Sequence, residues 1–314
     1  MSRQKAPAPV IAVVGPTACG KTHLAVELAK WQQSEVVSAD SMQVYQDMQI
    51  GTARPTASEM DGVPHHLLGF LPLSQEFSVA DYVKLAGECL QTIQEKGKIP
   101  ILVGGTGLYI RSLLQNLSFP SLDKDEALRE ELTCKAREHG TEVLVQELRQ
   151  VDPASAERID PQNIPRLVRA IELYRLTGKT MTQHLEESRR HPPPYRVCMI
   201  GLDFADRSRL YDRIDRRVDA MMEAGLLEEA RRVLSQEGSK TALQAIGYKE
   251  LAPYLAGEIP LEQAVENIKR ETRRYAKRQL TWFRREEQIH WLYLDECEPG
   301  QVVEEAKACV SRFL

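Results

Sequence analysis

The sequence predicts an α/β protein: a mostly parallel sheet with flanking helices, interrupted by an inserted all-helical domain. Three observations predict it. Short apolar, β-branched runs alternate with helical patterns, which is the rhythm of strand–helix units. The first run ends in a glycine-bearing loop that opens a helix. A long stretch after the third run has helical periodicity only, with prolines at both ends.

The expected strands are Val10–Val14, Glu35–Ser38, Ile99–Val103, Val197–Leu202 and Ile289–Leu294. A helix His23–Gln32 follows the first, and a helix Val79–Lys96 precedes the third. Helices so interleaved cover a parallel sheet on both faces. The rhythm breaks between Ser118 and Tyr195, where the helices Lys124–His139, Thr141–Val151, Ile164–Thr177 and Thr180–Arg190 are expected. Leu128, Leu132 and Ala136 recur there at helical spacing, as do Leu144 and Leu148. Pro120 opens this stretch, and Pro192, Pro193 and Pro194 close it. Helical pattern returns from Asp206 to Gln236 and from Leu261 to Arg285. The expected domains are therefore 1–117 joined with 196–314, and an insertion spanning 118–195.

The 314 residues, 42% of them apolar, suffice for a large buried core. No apolar run reaches the roughly 18 residues of a membrane-spanning helix, and Met1–Pro9 lacks the apolar segment of a secretory signal. The six cysteines form no CxxC pair and have no histidine cluster beside them. Reduced thiols in a cytoplasmic protein are expected, and no obligate protein partner is inferred. The formal net charge of −4 argues against nucleic acid, but its distribution argues for it. Lys269, Arg270, Arg273, Arg274, Lys277, Arg278, Arg284 and Arg285 lie close together, with Glu271 the one acid among them. A basic stripe on an acidic body suggests a local polyanion site.

Gly15, Pro16, Thr17, Ala18, Cys19, Gly20, Lys21 and Thr22 match G-x-x-x-x-G-K-[ST], between an expected strand and an expected helix. That context makes the motif a P-loop and the sheet P-loop NTPase-like. Backbone N–H groups and the helix N-terminus face a phosphate, Lys21 adds a point charge, and the Thr22 hydroxyl suits Mg²⁺. A nucleotide such as ATP, a polyphosphate or an allylic diphosphate each fits such a loop.

Ligands of open parallel sheets bind beyond the carboxyl ends of the strands. The second strand runs into Asp40, Ser41, Met42 and Gln43, and the third into Gly104-Gly105-Thr106-Gly107. Asp40 is a candidate base or metal-shell acid, or else a turn residue. Thr106 is a helix cap or a functional contact. Asp203, ending the fourth strand, is a weak match to the acid of an ATPase. The adjacent His65 and His66 point apart on a strand, which suits a structural or positioning role better than a metal.

Together, several ordered segments resemble the tRNA dimethylallyltransferase (tRNA isopentenyltransferase) family in its bacterial form. They are GPTACGKT (15–22), SADSMQVY (38–45), GVPHHL (62–67), FSVADY (77–82), GGTGLY (104–109), PRLVRAIE (165–172), RIDRRVDAMMEAGLLEE (213–229), QAIGYKE (244–250) and ETRRYAKRQLTWFR (271–284). They span nearly the whole chain. The sequence departs from the family pattern at Gly69, where an acid is common, and at Cys19, where serine or glycine is common.

The resemblance implies an enzyme that moves a dimethylallyl group from dimethylallyl diphosphate to N6 of the adenosine immediately 3′ of the anticodon, with Mg²⁺ as cofactor. Asp40 would take the N6 proton, and Lys21, Thr106 and Arg217 would complete the catalytic set, Arg217 by neutralising the leaving diphosphate. Asp40, Ser41, Met42 and Gln43 would line the pocket of the target base. Thr106 and Arg129 would touch tRNA. Three stretches would grip the anticodon stem-loop: Pro165, Arg166, Leu167, Val168 and Arg169; Gln244, Ala245, Ile246, Gly247, Tyr248 and Lys249; and Lys277, Arg278, Gln279, Leu280, Thr281, Trp282, Phe283 and Arg284. Tyr248, Trp282 and Phe283 are aromatics suited to stack on bases, with core packing the alternative for Trp282 and Phe283.

Overall fold

A computed structural model describes residues 7–117, 125–190, 192–236, 238, 240–298 and 300–314. The chain forms two compact units, Met1–Leu114 with Pro194–Leu314, and Gln115–Pro193. The start of the expected insertion, including Pro120 and Lys124, lies outside the described residues.

The first unit begins with β1 (Ala8–Val14), α1 (Lys21–Trp31), β2 (Val36–Ser38), α2 (Ala57–Met60), β3 (His65–His66), α3 (Val79–Glu95), β4 (Ile101–Gly104) and α4 (Gly107–Leu114). The second unit holds α5 (Glu126–His139), α6 (Glu142–Val151), α7 (Pro153–Arg158), α8 (Ile164–Thr177) and α9 (Met181–Arg189). The first unit resumes with β5 (Tyr195–Asp203), α10 (Arg207–Glu223), α11 (Leu226–Leu234), α12 (Lys240–Leu243), α13 (Tyr248–Leu255), α14 (Leu261–Phe283), β6 (Ile289–Tyr293) and α15 (Gln301–Phe313).

The six strands form one sheet in the order β3-β2-β4-β1-β5-β6, and every pair is parallel. Residues alternate faces along a strand. Ile11 and Val13 therefore join Val36, Ile101, Ile200 and Leu202 on one face, under α1, α10 and α15. Val10, Ala12 and Val14 join Val37 and Leu102 on the other, under α3 and α4. Burial on both faces is why these strands read as continuous apolar runs. The five expected strands are present with ends shifted by a few residues. The sixth, His65–His66, pairs Val36↔His65 and Val37↔His66; two polar residues carry no periodicity from which to infer it.

The longer helices are stopped and started by ordinary chemistry. Ser78 and Asp81 form a reciprocal capping box on α3, as Thr180 and Gln183 do on α9. In the second unit, Leu132, Leu144, Leu148, Leu167 and Ile171 meet in one apolar cluster, the faces that the helical spacing marks out. Pro153–Arg158 is a helix that the sequence reading did not anticipate; Asp152 caps it, accepting from the Ser155 amide at 3.1 Å.

Candidate active site

Parallel order brings the carboxyl ends of β1, β2, β4 and β5 to one edge of the sheet. The P-loop leaves β1 there. Gly15 has φ 139°, and a Cβ on it would strike the Leu202 carbonyl of β5, so only glycine fits. Gly20 turns the chain into α1 at φ 82°. Inside the loop, the Lys21 ammonium donates to the Pro16 carbonyl at 2.6 Å, and the Cys19 thiol donates to the same carbonyl at 2.9 Å. Burial pushes the Cys19 thiol pKa up, so this sulfur stays protonated and serves the loop's shape.

Asp40 follows β2. Its Oδ1 accepts the amides of Met42 (2.9 Å) and Gln43 (3.3 Å), which folds residues 40–43 into a turn. Thr106 ties that turn to the end of β4: its Oγ1 accepts the Ser41 amide at 3.2 Å, and its own amide donates to the Ala39 carbonyl at 3.2 Å. Its carbonyl also caps the start of α4 through Tyr109 and Ile110. Gln43 reaches away from Asp40, donating to the carbonyls of Thr52 and Ala53 at 3.2 Å.

Arg217 approaches from α10. Arg213, Arg216 and Arg217 line an open cleft of about 290 Å³ beside Ala18 of the P-loop. Arg213 donates to the Ala18 carbonyl at 3.0 Å and stacks over Phe204 at 5.6 Å. Burial lowers the Arg217 pKa, while Glu59, Cys19 and Asp40 pull it back up. Arg217 thus feels both the loop and Asp40. Arg213 and Arg216 are absent from the sequence expectations; their spacing to one another and to Arg217 puts them on neighbouring faces of one helix, and that was the available signal. Among the described residues no three His, Cys, Asp or Glu side chains converge on a metal position.

Residues 43–286 match the IPP transferase family. The chain belongs to the IPP transferase family. As an IPP transferase it is 46% identical over 296 residues to the tRNA dimethylallyltransferase of Acetivibrio thermocellus, covering 94% of each chain. It is also 46% identical to that of Halalkalibacterium halodurans, covering 92% of each. Among solved structures, the full-length tRNA isopentenylpyrophosphate transferase from Bacillus halodurans superposes with a TM-score of 0.72 at 42% identity, over 98% of this chain and 97% of that one. A eukaryotic dimethylallyltransferase acting on tRNA gives 0.79 at 28% identity, over 98% of this chain and 79% of that one.

The basic stripe of this IPP transferase is less free than its sequence suggests. Five of its eight charges are ion-paired, three of them with acids on other elements. Arg273 pairs with Asp215 (2.6 Å) and Glu266 (2.8 Å), Lys269 with Asp219 (2.6 Å), and Arg284 with buried Asp203 (3.1 Å). Arg270 and Arg274 share Glu271. Lys277, Arg278 and Arg285 remain exposed with no ion pair among the described residues; Arg278 lies over the Tyr275 ring at 5.7 Å. Asp203 also accepts from Arg207 at 3.1 Å and from the Phe204 amide, so it is a structural anchor.

Several residues that the resemblance gives to tRNA have buried side chains: Leu167, Val168, Ala245, Tyr248, Gln279, Leu280 and Phe283. All but Gln279 pack in the apolar cores of their units. Pro165, Arg166, Gln244, Lys277, Arg278 and Thr281 are exposed; Ile246, Lys249 and Trp282 are half-buried. Gln244 and Lys249 line a second open cleft, of about 460 Å³. In the second unit, Arg129 and Arg169 both hold the fully buried Glu172, at 2.7 and 2.6 Å. Burial raises the Glu172 carboxyl, and the two guanidiniums more than offset this and leave its pKa lowered.

His66 likewise has a structural partner, buried Glu35 at 2.8 Å, which also takes Lys96 (2.9 Å) and Lys98 (3.1 Å). His65 contacts the Val63 carbonyl at 2.9 Å. No helix among the described residues is long and apolar enough to cross a membrane.

Proposed function

We propose that this protein transfers the dimethylallyl group of dimethylallyl diphosphate to N6 of the adenosine immediately 3′ of the anticodon in tRNA, in the cytoplasm. One observation carries this reading: Asp40 and its Thr106-tethered turn stand at the same sheet edge as the P-loop, and Arg213 and Arg217 line a cleft beside that loop. The names of the relatives support it.

The adenine amine is a weak nucleophile, because its lone pair is delocalised into the ring. The allylic carbon compensates through a resonance-stabilised developing cation. The bond from the allylic carbon to the diphosphate oxygen breaks, the bond from N6 to that carbon forms, and the N6 proton passes to Asp40. Charge grows on the departing diphosphate, so pre-placed donors lower the barrier. Lys21, the amides at the start of α1, Arg213 and Arg217 supply them. The Thr22 hydroxyl at the first turn of α1 is the protein oxygen suited to hold a magnesium ion, which would supply further charge neutralisation to the diphosphate. The target base leaves its stack to reach Asp40, at reduced cost in a single-stranded loop. Lys277 and Arg278 offer phosphate contacts to the stem-loop.

The test is incubation with dimethylallyl diphosphate labelled in its allyl group, in the presence of tRNA or of AMP. Label in tRNA is the expected result. Label in AMP alone means a free-nucleotide enzyme, and ATP turnover with no labelled acceptor means a kinase; either outcome removes the proposal.

A further inference from the structure

Gln279 does not share the setting of its neighbours on α14. Lys277 and Arg278 are exposed, whereas Gln279 is 5% exposed and turns toward the sheet edge. Its Oε1 accepts the P-loop amide of Thr17 at 2.9 Å, and its Nε2 donates to the Gly105 carbonyl at 3.1 Å. Gly105 is a glycine for the sake of this contact: a Cβ there would collide with Nε2.

One carboxamide thus joins three separate pieces: the loop that opens α1, the turn after β4 that holds residues 40–43, and the helix bearing the unpaired cations. The Thr17 amide is aimed at Gln279, which fixes the peptide plane at the entry to the P-loop. Removing the acceptor would leave a buried donor unsatisfied and let that plane turn. Because the strut stands on α14, an ion-paired polyanion at Lys277 and Arg278 and a diphosphate at the P-loop act on the same rigid connection.

We propose that Gln279 is a positioning residue for the diphosphate loop and that it couples the two substrates, so that RNA bound along α14 tightens the hold on diphosphate and diphosphate tightens the hold on RNA by the same factor. The coupling rests on the reading of α14 as an RNA-binding helix; the positioning does not.

The experiment measures inorganic pyrophosphate affinity calorimetrically, with and without an anticodon stem-loop RNA, for the unaltered protein, Gln279→Met and the pair Lys277→Ala/Arg278→Ala. The unaltered protein should bind pyrophosphate at least about fivefold more tightly with RNA present. Gln279→Met keeps the volume and loses both hydrogen bonds. It should weaken pyrophosphate about tenfold without RNA, leave RNA affinity alone, and abolish the enhancement. The Lys277/Arg278 pair should weaken RNA and leave pyrophosphate alone. If Gln279→Met binds pyrophosphate normally, the positioning role is wrong. If it weakens pyrophosphate but the enhancement by RNA persists, the coupling is wrong. Unchanged RNA affinity in the Lys277/Arg278 pair would instead remove the RNA reading of α14 and the coupling with it. Should Gln279→Met not fold, Gly105→Ala, which displaces Nε2 without altering Gln279, decides by the same readouts.

Discussion

The phenol of Tyr248 donates to Glu229 Oε1 at 2.7 Å, and both groups are buried. The same carboxylate accepts the amides of Gln49 (3.0 Å), Ile50 (2.9 Å) and Gly51 (2.9 Å). A single acid therefore anchors the chain that follows the Asp40 turn, and Tyr248 completes its coordination. Burial first, and Glu229 second, push the Tyr248 pKa up, so the hydroxyl remains a donor. Tyr248→Phe should cost about 1 kcal/mol. Glu229→Gln should cost more, about 3 kcal/mol, because three amides lose a charged acceptor. Urea denaturation measures both; a Tyr248→Phe protein of unaltered stability but lost tRNA affinity would return Tyr248 to the RNA surface.

Asp40 has two tasks that substitution can separate. Asp40→Asn keeps an acceptor for the Met42 and Gln43 amides and cannot take a proton. It should bind tRNA normally and transfer about 10² more slowly or worse. Asp40→Ala should also loosen the turn and raise KM. Single-turnover rates at saturating tRNA separate the two, and a full rate in Asp40→Asn rules out the base.

The arginines of α10 should differ from one another. Arg217 lines the cleft beside the P-loop and feels the charge of Asp40, so Arg217→Ala should lower the transfer rate by about 10² to 10³, as loss of a donor to a developing anion does. Arg216 is exposed, and its one hydrogen bond among the described residues goes to the Asp212 carbonyl of its own helix, so Arg216→Ala should change the rate less than tenfold. Equal losses in both would mean that the cleft acts through net charge alone.

Salt titration distinguishes the cations of α14. Lys277→Ala and Arg278→Ala should each lower the salt dependence of tRNA binding by roughly one contact. Arg273→Ala should leave that slope unchanged and cost about 1 kcal/mol of stability, because Asp215 and Glu266 already hold this guanidinium. A slope change confined to Arg273→Ala would contradict the assignment.

Glu35 sets an acid limit. The Lys96 ammonium, aided against burial by His66 and Lys98, holds its carboxyl down at about 2, from an ordinary 4.5. A lowered carboxylate pKa adds stability above the unfolded value that is lost as pH falls through the folded one. The melting temperature should therefore drop as pH falls from 4.5 toward 2, and Glu35→Gln, destabilised at neutral pH, should drop less over that window. Parallel pH profiles for the two proteins would show that Glu35 is not the group responsible.

Much of this was legible along the chain. The P-loop is a contiguous motif, and the apolar runs that flank it are long enough to be read as strands. The positions of Asp40 and Thr106 followed from those strands, because parallel order sends every strand end to the same edge. What escaped was pairing between distant segments. Gln279 lies 262 residues from Thr17, and only the packed fold brings them together. The neutralising acids of α14, Asp215 and Asp219, stand on α10, so counting charges along one helix overstated its basicity. Tyr248 reads along the chain as a base-stacking residue and Phe283 as suited to core or RNA, yet both are buried; aromatic residues serve both roles and only burial distinguishes them.

The β1–β5 pairing, Ala8↔Tyr195 through Val14↔Gly201, has a consequence for biosynthesis. The most N-terminal strand lies at the middle of the sheet, yet one of its two neighbours is made only after the whole helical unit. At about 5–20 residues per second, β1 waits on the order of ten to forty seconds for that partner. Meanwhile it can pair with β4 alone, and its other edge presents unsatisfied N–H and C=O groups. The nascent chain is thus an aggregation-prone half-sheet until β5 emerges. A ribosome that stalls within the α5–α9 segment would hold it there, and that interval is where a chaperone has the most to shield.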